Sequence, residues 1–314
     1  MISYSEFKID NLLDNCKFNE SIFRIAPSSI HKHSLDATTM AIDLMYMTKG
    51  QNITKDQLSY INSQQNFKSG LFQENFLSDI DTNDIRNPEM SAVYLTYHVA
   101  MLYEFFNIKL NKKIDFFNTL KDKKHFNNFF LNFIPWDKST MGSGNIIDHY
   151  SSAFRANSRF DSKYDDLLKW LYVELEKIEC PISGFYGSQN TQGLNGLVQG
   201  GYHILRGTYF YDNKDVRYVN QKIDTILRSI DNLNKTVFSN GKGEGCHDMD
   251  HFMMLNKLSK YSNYKKSEIL SKSEERLKQI LRYSNPKGGF SFNITHSIEN
   301  HNRYNTTKSE NQGD

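Results

Sequence analysis

The chain has 314 residues, of which 38% are hydrophobic and 24% are charged, so it can bury one large core or two ordinary ones. Its 38 basic and 36 acidic residues give a net charge of +2 and form no long basic run, which argues against nucleic acid as the main partner. No segment approaches the roughly 18 apolar residues of a membrane span. Three widely separated cysteines are typical of a reducing compartment, so we expect a cytoplasmic protein.

Apolar residues recur at helical spacing along most of the chain, whereas no strand-length stretch alternates convincingly. Ser34 or Asp36 is expected to cap a helix that ends at Gly50. Thr54 and Gln57 have the spacing of a capping box. Further helices are predicted at 5–24, from Pro88, at 114–133, from about Ile146, at 162–178, at 193–211, at 216–233, after the glycines at 241–245, and at 269–281. The sequence therefore predicts an all-α protein.

Glycine–aromatic turns between the predicted helices recur at a nearly constant spacing. Phe185 and Phe238 are 53 residues apart, and Phe238 and Phe290 are 52 apart. A period of this size is typical of stacked helix pairs. We expect an (α/α) toroid of about five to six helix pairs at 35–296, with an N-terminal segment at 1–34 and a disordered tail at 297–314. An open solenoid of the same pairs is the alternative.

Two of these turns, Gln65 to Phe72 and Asn285 to Phe290, resemble the repeat of the terpenoid cyclase and protein prenyltransferase β-subunit toroids. In that family a glutamine and a glycine–aromatic pair mark each turn between helix pairs. The resemblance implies the toroid fold, whereas the catalytic motifs of that family are not reproduced in this chain. The cyclases carry an Asp-x-Asp-Asp motif, but this chain has His251 after Asp248 and Asp250 in an Asp-Met-Asp-His sequence. The order of the prenyltransferase zinc ligands is also not reproduced.

The C-terminal half, 143–292, is similar to uncharacterised toroid proteins found among surface-polysaccharide genes. The similar stretches are Gly142-Ser-Gly-Asn145, Gly200-Gly-Tyr-His203 and Gly245-Cys-His-Asp-Met-Asp250. This resemblance implies a glycan or a glycan precursor as ligand. Glycan lyases, hydrolases and epimerases also use (α/α) toroids, so the two resemblances agree at the level of the fold.

In a toroid the inner helices begin at one rim, so the polar residues near their starts should converge. This places Asp148 near several imidazole, phenol and carboxyl groups that suit acid–base catalysis. The catalytic candidates are His203 or His149 with Tyr202 or Tyr150 as base and acid, and Asp248 or Asp250 as acid or orienting carboxylate. The candidates for substrate binding are Asn145, Asn195, Glu244 and Trp136. Trp136 could equally anchor a turn.

Asp248 and Asp250 should point in different directions, because residues two apart on a helix differ by about 200°. Apolar Phe252, Leu255 and Leu258 define one face of this helix, and Asp248 lies four residues before Phe252. The spacing therefore favours Asp248 as the functional acid and Asp250 as the structural one.

The same stretch offers candidate ligands for a divalent metal. His247 and His251 are four residues apart and share a helix face, and Cys246 or Asp250 could complete a site with a histidine of a neighbouring helix. Our leading interpretation is a carbohydrate-active enzyme of lyase, hydrolase or epimerase type. A terpenoid cyclase-like or prenyltransferase-like enzyme and a non-catalytic scaffold that binds a glycan or a partner protein are the alternatives. The sequence predicts neither the substrate nor the oligomeric state.

Overall fold

The computed structural model describes residues 8–24, 33–74, 90–187, 193–236, 246–283, 300–301 and 304–305. Regular structure in these residues is almost entirely helical, which confirms the predicted all-α class. The α-helices are α1 (Ile9–Cys16), α2 (Leu35–Lys49), α3 (Lys55–Ser63), α4 (Met90–Phe105), α5 (Lys123–Asn128), α6 (Thr140–Ser158), α7 (Lys163–Ile178), α8 (Gly193–Leu205), α9 (Val219–Thr236), α10 (Cys246–Leu258) and α11 (Lys266–Ile280). None of the helices in this part of the chain is long and apolar enough to cross a membrane.

Short helical turns of other types accompany the α-helices. Asp115–Thr119 and Leu281–Tyr283 are 3₁₀-helical, and Phe129–Phe133 and Arg206–Phe210 are π-helical. Within the predicted tail, two-residue strands β1 (Asn300–His301) and β2 (Tyr304–Asn305) pair antiparallel.

The chain divides into two compact units. Unit 1 comprises 1–119, 155–162 and 284–314, and unit 2 comprises 120–154 and 163–283.

The predicted helix caps of unit 1 are confirmed. Ser34 Oγ accepts a hydrogen bond from the Ala37 backbone N–H at 3.2 Å, which begins α2, and Gly50 ends it with φ 64°. Thr54 and Gln57 form both hydrogen bonds of a capping box at the start of α3. These interactions are local, so the order of residue types is sufficient to specify them.

The first two helices of unit 1 pack on one another. The buried cluster between them contains Leu13 of α1, Ala41 of α2, and Phe23 from the segment that connects the two helices. Leu44 and Met45 of α2 pack against this cluster and are partly buried. The short helix predicted within 5–24 is thus α1, which ends at Cys16.

Two inter-helix turns, Gln65–Phe72 in unit 1 and Glu179–Tyr186 in unit 2, share one hydrogen-bond pattern. Each is closed by an antiparallel bridge between its first and last residues. In each, the glycine N–H donates to the carbonyl four residues earlier, and the serine Oγ accepts from the N–H two residues later. Gly70 and Gly184 have φ 73° and 76°, a conformation that favours glycine. The two turns are thus equivalent structural units, in which Phe72 corresponds to Tyr186 and Leu71 to Phe185.

The aromatic stretch 114–133 was predicted as one helix, but the structure divides it. A 3₁₀ turn precedes α5, and the π-helical turn follows it. The division occurs where Asp122 adopts an extended conformation and its side chain accepts from the His125 N–H at 2.9 Å. A side chain that caps a new helix in this way ends the helix before it.

The helix predicted from about Ile146 begins earlier, because α6 starts at Thr140 and includes the last six residues of the loop expected at 135–145. Ser139 Oγ accepts from the Gly142 N–H at 2.9 Å and so stabilises the first turn despite the two glycines. The helix predicted at 193–211 is α8 followed by the π-helical turn.

Several predicted features lie outside the described residues. These are the helix start at Pro88, the glycines at 241–245 with Glu244, the aromatic turns at Phe238 and Phe290, and most of the tail.

Candidate functional site

Close packing between α6 and α8 sets the position of the candidate site in unit 2. A Cβ on Gly144 would lie 2.3 Å from the Gly200 carbonyl oxygen, and one on Gly200 would lie 2.2 Å from the Thr140 oxygen. The two backbones therefore meet where no side chain larger than hydrogen fits. Further along, a Cβ on Gly207 would lie 2.6 Å from both Cα and Oδ1 of Asp148. This contact brings the Asp148 side chain against the end of α8.

Asp148 of α6 is the centre of a polar cluster with His203 and Arg206. Its carboxylate is fully buried. The Oδ2 atom accepts from His203 Nδ1 at 3.0 Å, from Arg206 Nε at 2.9 Å, and from a terminal guanidinium nitrogen of Arg206. The His203 and Arg206 side chains retain 14% and 25% of their exposure, so solvent reaches the cluster from their side.

The charge state of Asp148 follows from these partners. Burial alone would raise its pKa, but the charge of Arg206 and the hydrogen bond from His203 outweigh burial and hold the pKa at about 2. Asp148 is thus an anion at physiological pH. An anionic carboxylate can only accept, so it favours the His203 tautomer with the proton on Nδ1 and the basic lone pair on Nε2, and a terminal nitrogen of Arg206 also lies 3.0 Å from Nδ1.

Tyr202 and Asp250 extend this cluster. Arg206 lies over the Tyr202 ring at 4.9 Å and approaches its hydroxyl oxygen at 3.4 Å. Asp250 of α10 is 2% exposed. Burial raises its pKa to about 7; Arg206 lowers that pKa, and Asp148 raises it further. A carboxyl group that exchanges its proton near neutral pH is therefore within electrostatic reach of Arg206 and Asp148, the two charged partners of the cluster.

The polar residues of α10 point to three different helices. Asp248 accepts from Arg276 of α11 at both carboxylate oxygens, at 2.8 and 2.6 Å. Asp250 lies on the side of α8, and His251 Nε2 lies 2.9 Å from Ser229 Oγ of α9. The sequence-based orientation of the two aspartates is therefore wrong: Asp248 is held in a buried ion pair, and Asp250 faces the cluster.

The remaining catalytic candidates lie beside the cluster or in the core. His149 is 4% exposed and its charge affects the pKa of Asp148. Tyr150 is buried and stacks on Phe129 with ring centroids 5.0 Å apart, and burial raises its pKa. Among the residues the structure describes, the geometry thus favours His203 and Tyr202 over His149 and Tyr150.

The described candidates for substrate binding lie on different elements of unit 2. Asn145 lies in α6 one turn before His149, and Asn195 lies in the first turn of α8. The indole N–H of Trp136 donates to the Phe130 carbonyl oxygen at 2.9 Å, and its ring packs on Phe130. Trp136 is accordingly a turn anchor.

The candidate metal ligands are only partly described. The side chains of Cys246 and His247 lie outside the described residues, and His251 faces Ser229. In the part of the chain whose side chains are described, no three His, Cys, Asp or Glu residues are arranged to hold a metal ion.

Sequence reasoning missed two residues of this site. Arg206 is not among the predicted site residues, although its spacing of three from His203 brings the two side chains together where α8 continues into the π-helical turn. Gln199 was not considered, although it lies one turn before Tyr202 and His203 in α8. The i, i+3, i+4 and i+7 spacing of Gln199, Tyr202, His203 and Arg206 could have indicated a polar stripe.

Comparison of the chain with protein-family models, with curated proteins and with solved structures finds no match.

Proposed function

We propose that this protein is a carbohydrate-active enzyme that uses general acid–base chemistry of lyase, hydrolase or epimerase type. The observation that carries the proposal is the hydrogen bond of His203 Nδ1 to the buried Asp148 carboxylate, with Asp250 nearby. An oriented imidazole beside a carboxyl group with a pKa of about 7 supplies a proton acceptor and a proton donor in one place.

In this proposal His203 Nε2 accepts a proton from the substrate, and Asp148 holds the ring in the required tautomer. Asp250 in its protonated form donates a proton to the departing or re-protonated atom of the substrate. Arg206 stays cationic and offsets negative charge that develops nearby. Asp148 is a positioning residue, since its carboxylate is fully buried behind His203 and Arg206.

We further propose that the helix pairs form an (α/α) toroid. The equivalent hydrogen bonds of the Gln65–Phe72 and Glu179–Tyr186 turns support a repeated helix-pair unit. The reduced thiols of Cys16 and Cys180 are consistent with the proposed cytoplasmic location.

The test is a turnover screen of the purified protein against acidic and neutral oligosaccharides, followed by His203→Gln. The variant should lose at least a hundredfold in kcat/KM. His125→Gln is the matched control, because His125 is a half-exposed histidine bound to Asp122 at the surface, and its activity should not change.

Measurable binding without any product would refute the enzyme proposal and favour the scaffold. Turnover of prenyl diphosphates with Mg²⁺, in place of oligosaccharides, would favour the isoprenoid alternative.

A further inference from the structure

Two amide side chains in α8 have buried polar atoms without a hydrogen-bond partner in the described part of the chain. These atoms are Oδ1 of Asn195 and Nε2 of Gln199. Gln199 as a whole is only 2% exposed. More than nine in ten buried polar atoms in folded proteins are satisfied, so two neighbouring exceptions need a cause.

These two amides continue the polar face of the candidate site. Asn195 and Gln199 are four residues apart, which places them one above the other on α8. Tyr202, His203 and Arg206 follow at three, four and seven residues after Gln199. The stripe therefore runs from the first turn of α8 to the Asp148 cluster, with the amides at its N-terminal end.

Two glycines that follow Gln199 place other sides of α8 in close contact with neighbouring elements. Gly200 packs against Thr140, and a Cβ on Gly201 would lie 2.1 Å from the Phe185 ring. The position of these glycines leaves the amide stripe as the side of α8 that carries polar chemistry.

The two unpartnered atoms require complementary chemistry from one ligand. Asn195 Oδ1 is an acceptor and needs a donor, whereas Gln199 Nε2 is a donor and needs an acceptor. A carboxylate or phosphate only accepts, and an ammonium only donates. A hydroxyl group does both, and a sugar ring carries hydroxyls on adjacent carbons.

We propose that Asn195 and Gln199 form a subsite that holds the hydroxyl groups of a neutral sugar ring, one turn before the acid–base cluster. This inference rests on the proposed function and names its substrate class. Gln199 Nε2 donates to one ring hydroxyl, and Asn195 Oδ1 accepts from the next. The subsite orients the sugar so that its neighbouring bond lies beside His203 and Asp250.

The test measures stability and binding separately, using thermal melts and calorimetric titration with neutral hexasaccharides of glucose, mannose and galactose. Gln199→Met removes the unpartnered donor at nearly constant volume. The ligand-free variant should melt at or above the wild-type temperature, and its affinity for the bound hexasaccharide should fall about tenfold.

Gln57→Met is the matched control. Gln57 is likewise 2% exposed, but its side-chain oxygen accepts from the Thr54 N–H at 2.8 Å. The control should melt lower than the wild type with unchanged affinity. Should Gln199→Met fail to fold, Asn195→Leu in the half-buried first turn replaces it, and the same tenfold loss of affinity is expected.

A Gln199→Met variant that melts as low as the control and binds normally would overturn the inference, because Gln199 would then have a structural partner. Failure of all three hexasaccharides to bind would overturn it as well, although turnover of acidic oligosaccharides would keep the proposed function. Conversely, tight hexasaccharide binding that depends on Gln199 but gives no product would refute the enzyme proposal and support the subsite.

Discussion

Breaking the ion pair between Asp248 and Arg276 should destabilise the protein strongly without a direct effect on catalysis. Arg276 is 3% exposed, and both oxygens of Asp248 accept from its guanidinium. Asp248→Asn leaves this guanidinium buried without its counter-charge. Loss of one partner of a buried ion pair costs about 3–5 kcal/mol. For a protein of this size, that corresponds to a fall in Tm of roughly 6–20 °C.

Urea denaturation of two further variants separates this effect from a general sensitivity to charge changes. The double variant Asp248→Leu with Arg276→Met should recover most of the loss, since it removes both charges together. Asp231→Asn is the control, because Asp231 pairs with Lys272 while retaining 49% of its side-chain exposure, and it should change stability by less than about 1 kcal/mol. Equal, small losses in Asp248→Asn and Asp231→Asn would refute the structural role of Asp248.

Two further predictions concern unit 1 and the contact between α6 and α8. Burial and then the charge of Glu74 raise the pKa of Asp36 to about 7, above the value of about 4 for an unfolded aspartate, so stability should fall as pH rises from about 4 to about 7. Between pH 5 and 8 the linkage spans about two pH units of this range, so urea titrations at these two values should show that Asp36→Asn removes roughly 3 kcal/mol of the dependence. An unchanged dependence would contradict the prediction. Gly207→Ala places a methyl group 2.6 Å from Asp148, so it should lower the free energy of unfolding by about 1–3 kcal/mol and also reduce activity. A thermal melt measures the stability loss, and an unchanged Tm would contradict the close contact.

The features predicted correctly from the sequence are those set by neighbours in the chain. Ser34, Gly50 and the Thr54–Gln57 box each act within four residues, so their order alone specifies the caps. The helix start at Thr140 was missed because glycines at 142 and 144 resemble a loop in sequence. In the structure these glycines instead permit the approach of α8, a requirement that becomes visible only when the partner helix is known.

The orientation of α10 was predicted wrongly for a related reason. The prediction assumed one packed face, defined by Phe252, Leu255 and Leu258. In the structure Phe252 is partly exposed, whereas Leu255 and Leu258 are fully buried. Polar residues of this helix meet partners on α9 and α11, and Asp250 lies on the side of α8. When a helix has neighbours on several sides, the positions of its apolar residues do not define one buried face, so they do not predict which partner each polar side chain contacts.

The described part of unit 2 contains two aspartate–arginine pairs, and their differences favour the Asp148 cluster as the proposed site. In the Asp248–Arg276 pair both carboxylate oxygens are used and both side chains are at most 9% exposed. In the Asp148 cluster the donors of His203 and Arg206 all converge on Oδ2, whereas Oδ1 is buried without a partner in the described part of the chain.

The arginine partners differ in the same way. Arg206 retains 25% of its side-chain exposure, whereas Arg276 is almost fully enclosed. The free energy lost when an ion pair is desolvated offsets much of the Coulombic attraction between its charges. A pair with one unpartnered carboxylate oxygen and a partly exposed arginine is therefore expected to add little to the stability of the fold. The enclosed Asp248–Arg276 pair links α10 to α11. The open cluster instead holds a histidine in a defined tautomer at the solvent side of the fold, and that is the arrangement on which a proton-transferring site depends.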